Sequence, residues 1–97
     1  MPTFISLFGW TEQGVRDVKN TAKRAADFKS AIQASGGSVK HIYWTLGRLD
    51  GVVIFEAPDD STAAAMMMGG CAKGNVRSET LRAFTEDEIE GVLKKIK

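Results

Sequence analysis

The chain predicts an α+β domain built on a four-stranded antiparallel sheet, and three observations predict it. Four segments rich in aromatic and branched residues alternate with two helical segments in the order β-α-β-β-α-β. The two middle strands are joined by a glycine-bracketed turn, which makes them a hairpin. A helix-start signature near the C-terminus adds one further helix.

The first strand is Phe4 to Trp10. Thr11 is a good helix N-cap, and Val15, Val18, Ala22, Ala25, Phe28 and Ile32 follow at steps of three and four, the stripe of a single helix. Arg16, Lys19, Lys23 and Asp27 fall outside that stripe, and Gly36-Gly37 supplies a left-handed stop. Val39 to Leu46 is the second strand, Gly47 to Gly51 the turn, and Val52 to Ala57 the third strand, closed by Pro58. Asp59, Asp60 or Ser61 caps a helix through Ala63–Met68, which stops at Gly69-Gly70 or at Gly74. Val76 to Phe84 is the fourth strand. Thr85 and Glu88 then form a capping box, opening a last helix with Ile89, Val92, Leu93 and Ile96 on one face. Such an order places both main helices on one face of the sheet, the ferredoxin-like arrangement.

Ninety-seven residues suit one domain, spanning 1–97, with a modest core. Net charge is +1 with the charges well mixed, which argues against nucleic acid or a membrane surface as partner. The third strand also lacks the basic-aromatic signature of an RNA-recognition motif. Cys71 is the only cysteine, so no intrachain disulfide forms, and a staple-free small domain fits a reducing cytoplasm. The opening residues lack a signal-peptide pattern, and the longest apolar run, Ala63 to Met68, is too short to span a bilayer.

A sheet with one wet face should alternate apolar and polar residues. Here Phe4, Phe8 and Trp10 oppose Ile5 and Leu7; Ile42 and Trp44 oppose Val39 and Tyr43; Val52 and Ile54 oppose Val53 and Phe55. Both faces are apolar, and the helices cover only one. Each large side chain left wet forgoes roughly 1.5–3 kcal/mol. The expected cover is a second copy of the chain, as a homodimer or higher homo-oligomer. The alternative is the last helix folded across the second face, and its four apolar residues are few for that task.

Three blocks, in order, resemble the GYD domain family: Trp10-Thr11-Glu12-Gln13-Gly14; Ile42 to Asp50 with Val53 to Asp60; and Gly74 to Phe84. The resemblance covers essentially the whole chain. It implies a ferredoxin-like fold akin to dimeric α/β-barrel proteins, and it brings no catalytic residues with it. Gly47 and Asp50 match the family's Gly, Tyr, Asp signature, and Leu49 stands where the tyrosine is expected. No role of that phenol carries over.

Candidate chemistry is sparse. One histidine, His41, and one cysteine cannot supply a zinc-ligand set, and no metal or cofactor is expected. Met66, Met67 and Met68 are consecutive on a helix and cannot converge on one soft ion; adaptable packing fits them better. Cys71 in a Gly/Ala-rich stretch reads as packing. The glycines from Gly69 to Gly74 follow a helix rather than a strand, so they are a helix end and not a phosphate loop. What remains as a ligand-binding set is Trp10, His41, Tyr43, Trp44, Asp50, Arg77, Glu79 and Arg82. Alternation pairs His41 with Tyr43 and Arg77 with Glu79, on strands at opposite sheet edges. An ordinary surface ion pair is the plain alternative for Arg77 and Glu79. Two functions fit: a self-associating binding or accessory protein, or a small cofactor-independent enzyme of oxygenase type. The enzyme would act on a small aromatic or polar molecule, in a pocket between sheet and helices lined by Trp10, Tyr43 or Trp44.

Overall fold

The structure, a computed structural model, describes residues 1–97. It runs β1 (Thr3–Trp10), α1 (Glu12–Arg16), α2 (Thr21–Ala34), β2 (Ser38–Trp44), β3 (Gly51–Glu56), α3 (Asp60–Ala72), β4 (Val76–Ala83) and α4 (Glu86–Leu93). The strands form one antiparallel sheet in the order β2-β3-β1-β4. This is the expected ferredoxin-like α+β arrangement with an added C-terminal helix.

The core lies between one face of the sheet and helices α2 and α3. Phe4 and Phe55 are cross-strand partners, and their rings stack with centroids 5.5 Å apart. Phe28 of α2 meets Phe55 edge-on at 6.0 Å. Ile32, Val53, Ala57 and Ala63 complete the buried group with Phe4 and Phe55. These aromatic contacts add about 0.5–1.5 kcal/mol each to simple area burial.

Two expectations need correction. The stripe from Val15 to Ile32 is not one helix. It breaks into α1, a 3₁₀ turn over Val18–Asn20, and α2. Arg24 reaches back and donates to the Asp17 carbonyl and carboxylate, both at 2.9 Å, which fixes the break. Val15 is left 55% exposed rather than on the buried stripe. Second, a bulge at Lys40 shifts the β2 register between Val39 and His41. Val39 therefore pairs with Phe55 and packs on the core, on the same side as Ile42. Simple alternation puts it on the other face.

Helix ends follow local chemistry. Asp59 caps α3 by accepting from the Thr62 amide at 2.8 Å, and Thr85 and Glu88 form the expected capping box. The helix α3 runs through Gly69-Gly70 and stops before Gly74, which has a positive φ. No residue of α4 is buried, and Leu93 and Ile96 are 54% and 72% exposed. This helix does not seal the second sheet face.

Candidate functional site

The loops at one end of the sheet are locked together by the residues around Trp10 and Asp50. The Asp50 carboxylate accepts from the Trp10 amide at 2.8 Å, and the Asp50 amide donates to the Phe8 carbonyl at 2.9 Å. Thr11 caps α1 through the Gly14 amide and donates its hydroxyl to the Gly74 carbonyl. The Thr11 amide bonds to the Asn75 carbonyl at 3.1 Å, and the Gln13 amide group spans Lys73 and Asn75, both at 3.0 Å. Gly14 sits so close that a Cβ would lie 2.0 Å from the Asn75 carbonyl oxygen. Asp50 thus works here as a clasp between the hairpin and β1, with no need of a phenol at position 49.

The sheet face away from α2 and α3 carries Ile5, Leu7, Val52 and Ile54, with Leu81 43% and Tyr43 54% exposed. Tyr43 and His41 share this face at the β2 edge. Their rings stack at 5.8 Å, with the Tyr43 hydroxyl 3.4 Å from His41 Nδ1. Arg77 and Glu79 lie on β4 at the opposite edge, exposed and without an ion-pair partner within 4.0 Å. The two pairs do not meet within one chain.

The other face holds the remaining candidates. Arg82, paired in register with Phe4, lies 4.5 Å from the centroid of the Phe84 ring and 5.8 Å from that of Phe4; its other partners are Glu88 at 3.8 Å and the Ala83 carbonyl. Its surroundings tie β4 to the start of α4. Trp10 is half-buried, and its indole Nε1 is buried without an acceptor. Trp44 donates its indole N–H to Thr21 Oγ1 at 3.1 Å, joining β2 to the start of α2.

Between this face and the helices lies a cavity of about 460 Å³. Phe8, Phe28, Ile42, Trp44, Met66 and Met67 supply much of its apolar lining. Of the three aromatic residues expected around such a pocket, Trp44 lines it, while Trp10 and Tyr43 do not. Ser6 and Ser78 line it from the sheet, and Ser78 Oγ lies 3.4 Å from the Cys71 thiol of α3. Arg24 lines it from α2: Nη1 is bonded to Asp17, whereas Nη2 is buried with no acceptor. An orphaned buried donor costs about 1–3 kcal/mol, more when charged. Arg24 was not distinguishable in the sequence from its neighbour Lys23; only the return of the chain at Asp17 turns it inward.

His41 and Cys71 sit on different elements, and no three His, Cys, Asp or Glu side chains gather as metal ligands. No helix is long and apolar enough to cross a membrane.

Two comparisons with known proteins bear on this geometry. A protein of Thermus thermophilus described as glutamine synthetase and cystathionine beta-lyase binding protein is 30% identical over 95 residues, spanning 97% of this chain and 100% of that relative. The pattern of the GYD domain matches residues 4–93, which takes in the Trp10–Gly14 segment, the Asp50 hairpin and all four strands save Thr3 at the start of β1. The chain belongs to the GYD domain family.

Proposed function

We propose that this chain is a self-associating, protein-binding accessory domain of the cytoplasm, and that the open sheet face is its contact surface. The observation that carries the reading is the unclosed apolar face: Ile5, Leu7, Val52, Ile54 and Leu81 have no helix over them, and α4 buries nothing there. A contiguous patch of this kind on a small domain marks an interface. A second copy offers the same surface, and a two-fold axis pairs the faces. Tyr43 and His41 at one edge, with Arg77 and Glu79 at the other, form the polar rim that such interfaces carry. The relative's description as a binding protein for two enzymes supports a role in docking on other proteins, with metabolic enzymes as the class to test.

Light scattering at micromolar concentration is the direct test. The wild-type chain should run as a dimer or larger, and the double variant Leu7→Glu/Leu81→Glu should run as a folded monomer. A wild-type chain that is monomeric at that concentration overturns the reading. Protein docking is tested separately, by pull-down of glutamine synthetase and cystathionine β-lyase from the source organism with purified protein.

The cavity on the helix side favours a second reading, a small cofactor-independent enzyme, because an apolar pocket with a few polar groups is what such an enzyme needs. Substrate turnover by purified protein would promote it over the accessory role.

A further inference from the structure

We propose that the cavity between the sheet and helices α2 and α3 binds a small carboxylic acid with one aromatic or branched aliphatic body, its carboxylate held at Arg24. The cavity is on the helix side of the sheet, opposite the self-association face, so this inference goes beyond that reading and fails separately from it.

Size and lining select the body of the ligand. About 460 Å³ falls within the range of roughly 300–1,000 Å³ typical of small-molecule sites. Phe8, Phe28 and Trp44 offer ring faces, and Met66 and Met67 offer flexible thioethers that adjust to an irregular shape. The cavity opens to solvent past exposed lining residues such as Trp44, Asp27 and Lys73, which gives a ligand a way in.

Charge selects the head group. Two cations, Arg24 and Lys73, and one carboxylate, Asp27, line the cavity. Asp27 already faces Lys23 at 3.5 Å, and Lys73 has no carboxylate partner. Arg24 is engaged on one side only: Nη1 serves Asp17, and Nη2 is a buried donor awaiting an acceptor. The guanidinium is held at Asp17, just after α1, and its second amino group is covered by neighbouring atoms, which an incoming oxygen displaces to reach it. A single carboxylate oxygen satisfies that donor, and one negative charge balances the lining, where Arg24 is paired with Asp17, Asp27 with Lys23, and Lys73 with no carboxylate. A dianion such as a phosphate monoester is poorly served, because Asp17 already offsets half of the local positive charge. Ser78, half-buried on the sheet side of the lining, offers a neutral partner for a hydroxyl of the ligand, whereas Ser6 is buried and already accepts from Thr80.

The test titrates the full-length chain with 4-phenylbutyrate and with 4-phenylbutan-1-ol, following tryptophan fluorescence and heat of binding. The acid should bind saturably, one per chain, about tenfold more tightly than the neutral alcohol. Arg24→Met keeps the alkyl packing and should erase that tenfold preference while leaving alcohol binding intact. Gly70→Leu should fill the cavity and abolish binding of both, since the first carbon of the new side chain meets only Phe28 Cδ1 at 3.9 Å. Equal affinity of the wild-type chain for acid and alcohol, absence of saturable acid binding up to millimolar concentration, or binding that survives Gly70→Leu in a folded protein would each overturn the proposal. The acid-alcohol comparison on the wild-type chain needs no variant to fold.

Discussion

The Asp50 carboxylate and the backbone amide of Trp10, 40 residues apart, are joined by a 2.8 Å hydrogen bond that closes the β2–β3 hairpin onto the end of β1. The acceptor is charged and half-buried, so its removal leaves the Trp10 amide short of a partner. Asp50→Ala should cost about 2 kcal/mol in urea unfolding, the scale of a hydrogen bond to a charged group. Asp50→Asn keeps an oxygen at the same place and should retain most of the stability. If alanine is as stable as wild type, Asp50 is not the clasp.

Gly14 and Gly69 are both helical glycines, and their alanine variants should move stability in opposite directions. Alanine in a helix is normally favoured over glycine by about 0.5–1 kcal/mol. At Gly69 an added Cβ meets nothing within 4 Å, so Gly69→Ala should stabilise by that amount. At Gly14 the Cβ would press on backbone, 2.0 Å from the Asn75 carbonyl oxygen. The clasp must open, and Gly14→Ala should destabilise by about 2 kcal/mol despite the better helix former. Thermal melts of the two variants decide it, and shifts of the same sign would refute the close approach.

What could be read from the chain divides by range. The Thr85–Glu88 capping box was legible because both partners lie within one helical turn of each other. The two apolar sheet faces were legible because side-chain alternation is fixed by the backbone. The break after Arg16 was not, because it depends on Arg24 returning to Asp17 and on Asn75 arriving beside Gly14. The cavity followed the same rule: Trp44 stood out as a large aromatic residue, whereas Arg24 gained its role only when the helix broke. Of the candidate binding residues, Asp50 has a clear structural task, and the others are divided between the two faces of the sheet.

Lys40 is the extra residue of the β2 bulge, and this makes an unusual deletion tolerable. With Lys40 removed, Val39, His41 and Ile42 alternate regularly, and Val39 and Ile42 both still face the core. The Lys40–Glu56 ion pair lost with it, at 3.5 Å and partly exposed, is worth little. The deletion should therefore leave a folded protein within about 1 kcal/mol of wild type. Deleting Tyr43 instead sends Trp44 to the open face and breaks its bond to Thr21. That variant should be far less stable in chemical denaturation, and comparable losses for the two deletions would argue against the assigned register.

Acid should weaken the fold first at two helix starts. Hydrogen bonds from Thr62 and Ser61 hold the Asp59 carboxyl below its ordinary value of 3.8. The Thr85 amide, with Arg82 nearby, does the same for Glu88 below 4.5. In each case the folded state prefers the ionised form, so the contribution is complete above the ordinary carboxylate range. It falls away as pH drops through that range towards the lowered folded values. Asn at position 59 keeps an oxygen for the cap and cannot titrate. The stability curve of Asp59→Asn should therefore lie at or below wild type at pH 7 and converge with it, or cross above it, as pH falls below about 4. The Glu88→Gln curve should behave in the same way, because glutamine preserves the capping box without the charge. Urea unfolding measured from pH 7 down to pH 2 checks both. Wild-type and variant curves that stay parallel throughout would show that these two carboxylates do not couple protonation to folding.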